Sequence, residues 1–239
     1  MQNAAFGAAG LDWAYVALGV EPERLEDAVA GLVALGFAGA NVTIPHKTGV
    51  LAYCDELDDV AGRAGSVNTL VIRDGRVLGS STDGQAVTDA VEATGARVLV
   101  LGAGGAAQAV ATALVDAART PERAHALALR LRNLAPGRAV EADESWPPSA
   151  GDADLVLNAT PVLDETLVEL DGVRQVVDLG YRPAGGDTAL VAAARVEGCE
   201  RVVDGLDVLV AQGALSFERW TGLPAPKEVM ERAVRSLRA

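Results

Sequence analysis

Val98-Leu99-Val100-Leu101-Gly102-Ala103-Gly104-Gly105-Ala106-Ala107 decides the architecture of this chain. Its unbroken apolar start reads as a strand buried on both faces. The glycines then make a tight turn, and the alanine-rich run beyond them opens a helix over residues 107–118. Gly102-x-Gly104-x-x-Ala107 fits a dinucleotide-binding fingerprint. In that pattern Gly102 permits the turn, Gly104 lets the backbone approach a pyrophosphate, and Ala107 lets helix and strand pack closely. The start of the helix would aim unpaired N–H groups and a positive dipole at phosphate. Glycine-rich turns also serve plain packing; the place between a strand and a helix favours the cofactor reading.

Downstream the strand-then-helix alternation repeats. Residues 154–157, 175–178 and 200–203 are short apolar strands, and residues 121–134 and 188–197 are helices. Apolar strands between amphipathic helices predict a doubly wound parallel sheet. Residues 208–220 and 226–237 read as two closing helices. Upstream the pattern is mixed. Residues 11–20 combine a helix end with a strand over 13–18. Residues 23–35 form a helix with Leu25, Val29, Leu32 and Val33 on one face, and Pro22 near its start. Residues 50–54 and 60–64 read as helical. Strands over 67–72 and 76–78 meet at Asp74-Gly75, a hairpin signal, and a helix over 85–93 ends at Gly95.

Composition sets limits on function. Half of the 239 residues are hydrophobic and 4% are aromatic, which favours close-packed helix-on-sheet layers. A net charge of −13 without a basic cluster disfavours nucleic acid. Cys54 and Cys199 have no metal-ligand spacing, and with two histidines they leave no zinc site, so no metal is expected. No transmembrane run and no signal peptide is read, so no membrane partner is expected and a reducing cytoplasm is the default.

The chemistry-bearing segments lie in the first half. In Asn41-Val42-Thr43-Ile44-Pro45-His46-Lys47 a strand end over 41–44 is stopped by Pro45, which presents Lys47 at a strand-to-helix junction. A lone lysine there is ordinarily a solvated turn residue. Gly65-Ser66-Val67-Asn68-Thr69-Leu70-Val71 runs polar residues into a strand. Ser81-Thr82-Asp83-Gly84 follows the hairpin and is also a good helix-capping sequence.

Taken in order with the glycine turn, Asn158-Ala159-Thr160-Pro161, Asp178-Leu179-Gly180-Tyr181 and Asp204-Gly205-Leu206 through Gln212-Gly213-Ala214 and Phe217, these segments resemble the shikimate dehydrogenase family. The resemblance implies an α/β fold with an N-terminal substrate domain and a Rossmann-like NADP domain. It implies a discontinuous substrate domain, 1–84 and 206–239, around a dinucleotide domain, 85–205. It implies reversible NADP-dependent reduction of 3-dehydroshikimate to shikimate, NAD being the other cofactor open. Lys47 would be the general acid/base and Asp83 its partner. Thr43, Asn68 and Gln212 would bind hydroxyl groups, and Tyr181 the substrate carboxylate. Gly102, Ala103, Gly104, Gly105 and Ala106 would form the pyrophosphate turn, Arg119 and Arg123 would read the 2′-phosphate, and Thr160 and Gly205 would line the nicotinamide. The partner implied is a small molecule, bound by a monomer or homodimer.

The chain also departs from the family pattern. Met1-Gln2-Asn3-Ala4-Ala5-Phe6 matches a segment that lies inside relatives, after a strand and a Ser-x-Ser carboxylate motif. The strand expected after the cofactor helix is missing. The loop after Asn158-Ala159-Thr160-Pro161 lacks a glycine-methionine turn. Quinate or aminoshikimate as substrate, or a paralogue that binds ligand without turnover, are the alternatives.

Overall fold

A computed structural model describes residues 1–102, 104–117, 150–182 and 185–236. These build two four-stranded sheets. The first half contributes α1 (Gln2–Ala8), α2 (Leu25–Ala34), β1 (Gly39–Asn41), β2 (Glu56–Leu57), α3 (Asp59–Ala64), β3 (Thr69–Arg73), β4 (Arg76–Ser80) and α4 (Thr82–Thr88). The second contributes β5 (Val98–Leu101), α5 (Gly105–Ala117), β6 (Leu155–Asn158), β7 (Gln175–Asp178), α6 (Ala189–Val196), β8 (Arg201–Val203), α7 (Gly205–Thr221) and α8 (Lys227–Arg235). The helix expected over 121–134 lies outside the described residues.

The first sheet has the order β1-β3-β4-β2, with β1–β3 and β3–β4 antiparallel and β4–β2 parallel. Asp74 (φ 52°) and Gly75 (φ 76°) both adopt left-handed backbone, matching the twist of a tight hairpin. The register Thr69↔Ser80 brings Asn68 beside the start of α4. Asp58 caps α3 by accepting from the Ala61 N–H at 2.7 Å, and Gly65 (φ 61°) ends it, releasing Ser66 to Asn68 into β3.

The second sheet is parallel throughout, in the order β5-β6-β7-β8. Strands β5, β6 and β7 are buried along their whole length, as the apolar runs predicted. Val98, Val100, Leu155, Leu157 and Val177 pack with α4, α5 and Val208 of α7. Leu99, Leu101, Val156 and Val176 pack on the other face with Leu190 and the 167–170 segment. Parallel order carries the turns after β5, β6, β7 and β8 to one edge of this sheet, where open α/β sheets place their ligands. Helix α7 continues from that edge into the first sheet's core, where Ala214, Phe217 and Trp220 join Phe6, Val71 and Met230. The Trp220 Nε1–H donates to the Leu70 carbonyl at 2.8 Å.

Three local expectations are corrected. Residues 13–18 form no strand: both backbone groups of Tyr15 bond the Asn3 side chain, at 2.6 and 2.9 Å, in place of a sheet neighbour. The helix expected over 85–93 is α4, which starts at Thr82 and stops at Thr88. It stops because the Gln175 amide takes both backbone groups of Glu92, at 2.9 and 3.0 Å. The strand end expected over 41–44 stops at Asn41, and a turn carries residues 44–48.

Candidate active site

Lys47 sits in the turn after β1, where its carbonyl accepts from the Val67 N–H at 2.8 Å. Its Nζ lies 2.6 Å from Asp83 Oδ2, and the two side chains are 15% and 12% exposed. An ion pair this shielded is much stronger than one in bulk water, and the ammonium keeps further N–H groups for a ligand. Asp83 lies in the first turn of α4 and caps nothing: its carboxylate is divided between Lys47 and the Asn68 Nδ2–H, 2.8 Å away. Asn68 is buried. Its amide also donates to Thr82 Oγ1 at 2.9 Å and accepts from the Thr82 N–H at 2.8 Å. Gln212 reaches in from α7, its Oε1 at 3.5 Å from Asn68 Nδ2 and from Thr82 Oγ1.

Behind this pair lies a polar layer, buried at Thr69 and Ser216 and reaching the surface at Tyr15. Thr69 Oγ1 and Ser216 Oγ are 2.8 Å apart, Asn41 Nδ2–H donates to Ser216 Oγ at 2.9 Å, and the Tyr15 hydroxyl reaches Asn41 Oδ1 at 3.1 Å. Sequence reasoning assigns no role to Thr82, Thr69, Ser216, Asn41 or Tyr15. The signal available for Thr82 is its place directly before Asp83; Ser216 lies 147 residues from Thr69, and nothing local marks that pair.

The glycine turn closes over this cluster from the second sheet. Gly102 has φ +109°, and a Cβ there would stand 3.0 Å from the Ala159 carbonyl and 3.4 Å from Thr160 Cγ2. A Cβ at Gly105 would stand 2.8 Å from Ser66 Oγ and 3.3 Å from Lys47 Cβ. Gly104 is exposed, with open space where a Cβ would point. The turn thus touches Thr160 at one end and the lysine at the other, with Gly104 exposed between them. The first turn of α5 leaves its N–H groups without helical acceptors, a fit for phosphate oxygens. Ala106 follows Gly105 in that first turn.

On the far side, Asn158 Oδ1 accepts from the Thr160 N–H and Oγ1–H, at 3.0 and 2.7 Å. Its Nδ2–H donates to Asp178 Oδ1 at 3.0 Å. Asp178 also accepts from the Gly180 N–H at 2.8 Å and from the Thr188 hydroxyl at 2.5 Å. Burial pushes this carboxyl above its usual range, and hydrogen bonds from Thr188, Gly180 and Asn158 oppose the shift. Gly205 is buried at the start of α7, where a Cβ would stand 2.3 Å from the Gly180 carbonyl.

Lys47, Asp83, Asn68 and Gln212 are therefore brought together, and Thr43 is exposed in the segment that carries Lys47. Tyr181 is 41% exposed beyond β7 and makes no hydrogen bond to the cluster. Ala103, Arg119 and Arg123 lie outside the described residues.

Known proteins follow the same layout. Residues 1–70 match the model for the shikimate dehydrogenase substrate binding domain, and residues 205–235 that for the shikimate 5'-dehydrogenase C-terminal domain. A shikimate dehydrogenase (NADP(+)) of Moorella thermoacetica is 44% identical, covering 98% of this chain and 87% of its own. One from Anaeromyxobacter dehalogenans is 45% identical, covering 99% and 90%. The shikimate 5-dehydrogenase of Thermus thermophilus, solved with NADP(H) and shikimate, superposes with a TM-score of 0.78 at 32% identity, covering 99% and 92%. The Moorella alignment runs over 259 positions against the 239 residues here, so that relative carries internal segments which this chain lacks. Likeness at this level over nearly the whole length, in fold as in sequence, makes the chain a member of the shikimate dehydrogenase family.

Proposed function

We propose that the chain is an NADP-dependent shikimate dehydrogenase interconverting 3-dehydroshikimate and shikimate. The observation that carries this reading is the 2.6 Å Lys47–Asp83 pair lying directly against Gly105 of the glycine turn. When bound, NADP(H) supplies or takes the hydride at the substrate's carbonyl carbon. Lys47 donates a proton to the carbonyl oxygen in reduction and takes it back in oxidation. Asp83 holds the ammonium in place and binds an adjacent hydroxyl, and Asn68 fixes the orientation of Asp83. Thr43 and Gln212 bind further hydroxyls, and Tyr181 takes the carboxylate. Gly102 to Ala106 cradle the pyrophosphate, and Thr160 and Gly205 bound the nicotinamide side. Residues 1–84 and 206–239 are the substrate domain in this reading, and residues 85–205 the cofactor domain. The proposed setting is the cytoplasm; among the described residues no helix is long and apolar enough to cross a membrane.

The test is NADPH absorbance on mixing the protein with shikimate and NADP, beside an NAD control. Lys47-dependent reduction of NADP is the expected result. Absence of any reduction, in protein that melts cooperatively, would sink it. The internal segments that this chain lacks favour one second reading, a protein that binds shikimate without turning it over. Shikimate binding by calorimetry with no NADPH formed is its signature.

A further inference from the structure

Asp178 is fully buried, yet no cation pairs with it among the described residues. The charged group that bears on it is Asp204, which repels it. Both oxygens face donors: Asn158 and Gly180 on Oδ1, Thr188 on Oδ2. A carboxylate sealed away from water and from any counter-charge is costly unless its hydrogen bonds are complete. This one lies at the end of β7, on the sheet edge that carries the glycine turn. It is joined through Asn158 to the backbone and hydroxyl of Thr160, which packs against Gly102.

We propose that Asp178 is a positioning residue that also acts through its charge. It holds the Asn158–Thr160 turn and keeps one unpaired negative charge beneath the nicotinamide end of the site, so that the protein binds oxidised, positively charged cofactor better than reduced cofactor. The inference rests on the assignment of Thr160 to the nicotinamide side. It concerns relative affinity, which a purely structural carboxylate would leave alone. Nicotinamide loses its positive charge on reduction, so only the oxidised form feels the full attraction.

The experiment is equilibrium binding of NADP+ and of NADPH, followed by calorimetry and by cofactor fluorescence, without substrate. Asp178→Asn keeps the shape and an acceptor for Asn158 and Gly180. It should weaken NADP+ by about tenfold while moving NADPH by less than about twofold, as loss of one nearby charge in a partly shielded site requires. Asp178→Glu should keep the wild-type ratio. Should Asp178→Asn fail to melt cooperatively, Asp178→Ser carries the same expectation. Equal weakening of both forms, or no change in either, would overturn the proposal. Wild-type protein that binds neither form would instead overturn the cofactor assignment itself.

Discussion

The molecule holds two shielded carboxylates, one on each side of the glycine turn, and it treats them in opposite ways. Asp83 is 12% exposed at its side chain and faces a lysine at 2.6 Å. Asp178 is fully buried and, among the described residues, faces only neutral donors. The first arrangement leaves a partly exposed cation with spare N–H groups, which suits proton transfer to a ligand. The second leaves nothing free: every contact fixes a neighbouring turn. In the proposed mechanism, access separates a carboxylate that would take part in chemistry from one that would shape the ground for it.

The widest gap between the two should come from the lysine. Lys47→Ala is expected to lower turnover by about a thousandfold, within the range for loss of a general acid. Cofactor affinity should stay within about twofold. Steady-state rates beside calorimetric titration decide it, and full activity would remove Lys47 from the mechanism. Asp83→Asn should cost about a hundredfold in turnover, again with cofactor binding intact, because the amide cannot hold the ammonium by charge.

A smaller effect probes the seam between the regions. Gly105→Ala inserts a methyl 2.8 Å from Ser66 Oγ and 3.3 Å from Lys47 Cβ. Pushing the turn off the lysine should reduce kcat/KM by about tenfold, since misplacement of reactants by a fraction of an ångström is costly. Combining it with Ser66→Ala should restore part of the loss. If the double variant is no better than the single one, the contact is not what limits the rate.

On the sealed side the readout shifts from rate to stability. Thr188 caps α6 by accepting from the Val191 N–H at 3.3 Å and also donates to Asp178. Thr188→Ala should therefore cost about 1–3 kcal/mol in denaturant unfolding. Turnover should change by less than about twofold, well short of the Asp83 effect. The pH dependence is finer still. The folded pKa of Asp178 is raised above 3.8, so the native state holds this proton more tightly than the unfolded chain does. Wild-type stability from this group is thus fullest below pH 3.8 and is lost as pH rises through the folded value. Asp178→Asn lacks that loss. Its stability relative to wild type should improve from acid toward neutral pH in paired denaturation curves, and a constant difference would contradict the assignment.

Residues that act through their neighbours in sequence are legible; residues that act across the fold are not. The run Val98–Leu101 ahead of its glycines specifies a buried strand and a turn, because burial and backbone freedom are local properties. Asp74-Gly75 specifies the hairpin for the same reason. The strand expected over 13–18 does not form because alternation describes a face, whereas a strand also needs a neighbouring edge, and here Asn3 supplies the hydrogen bonds instead. The end of α4 is hidden from local reading because Gln175, far along the chain, captures Glu92. Lys47 and Asp83 draw attention by type and company. The Ser216–Thr69 and Asn158–Asp178 contacts do not, since a hydroxyl or an amide reads the same in a loop as in a sealed core.

Helix α7 gives the two regions a common mechanical element. Its first turns belong to the second sheet's core through Val208, and its last turns to the first sheet's core through Phe217 and Trp220. Seventeen residues make a stiff rod roughly 25 Å long. It is wedged at Gly205 against the Gly180 carbonyl, and it carries Gln212 and Ser216 partway along. A tilt of the rod at its wedged end would swing both side chains in the polar cluster. A hinge between the sheets would have to bend α7 or pivot on it, and either motion would carry Gln212 and Ser216 with the rod.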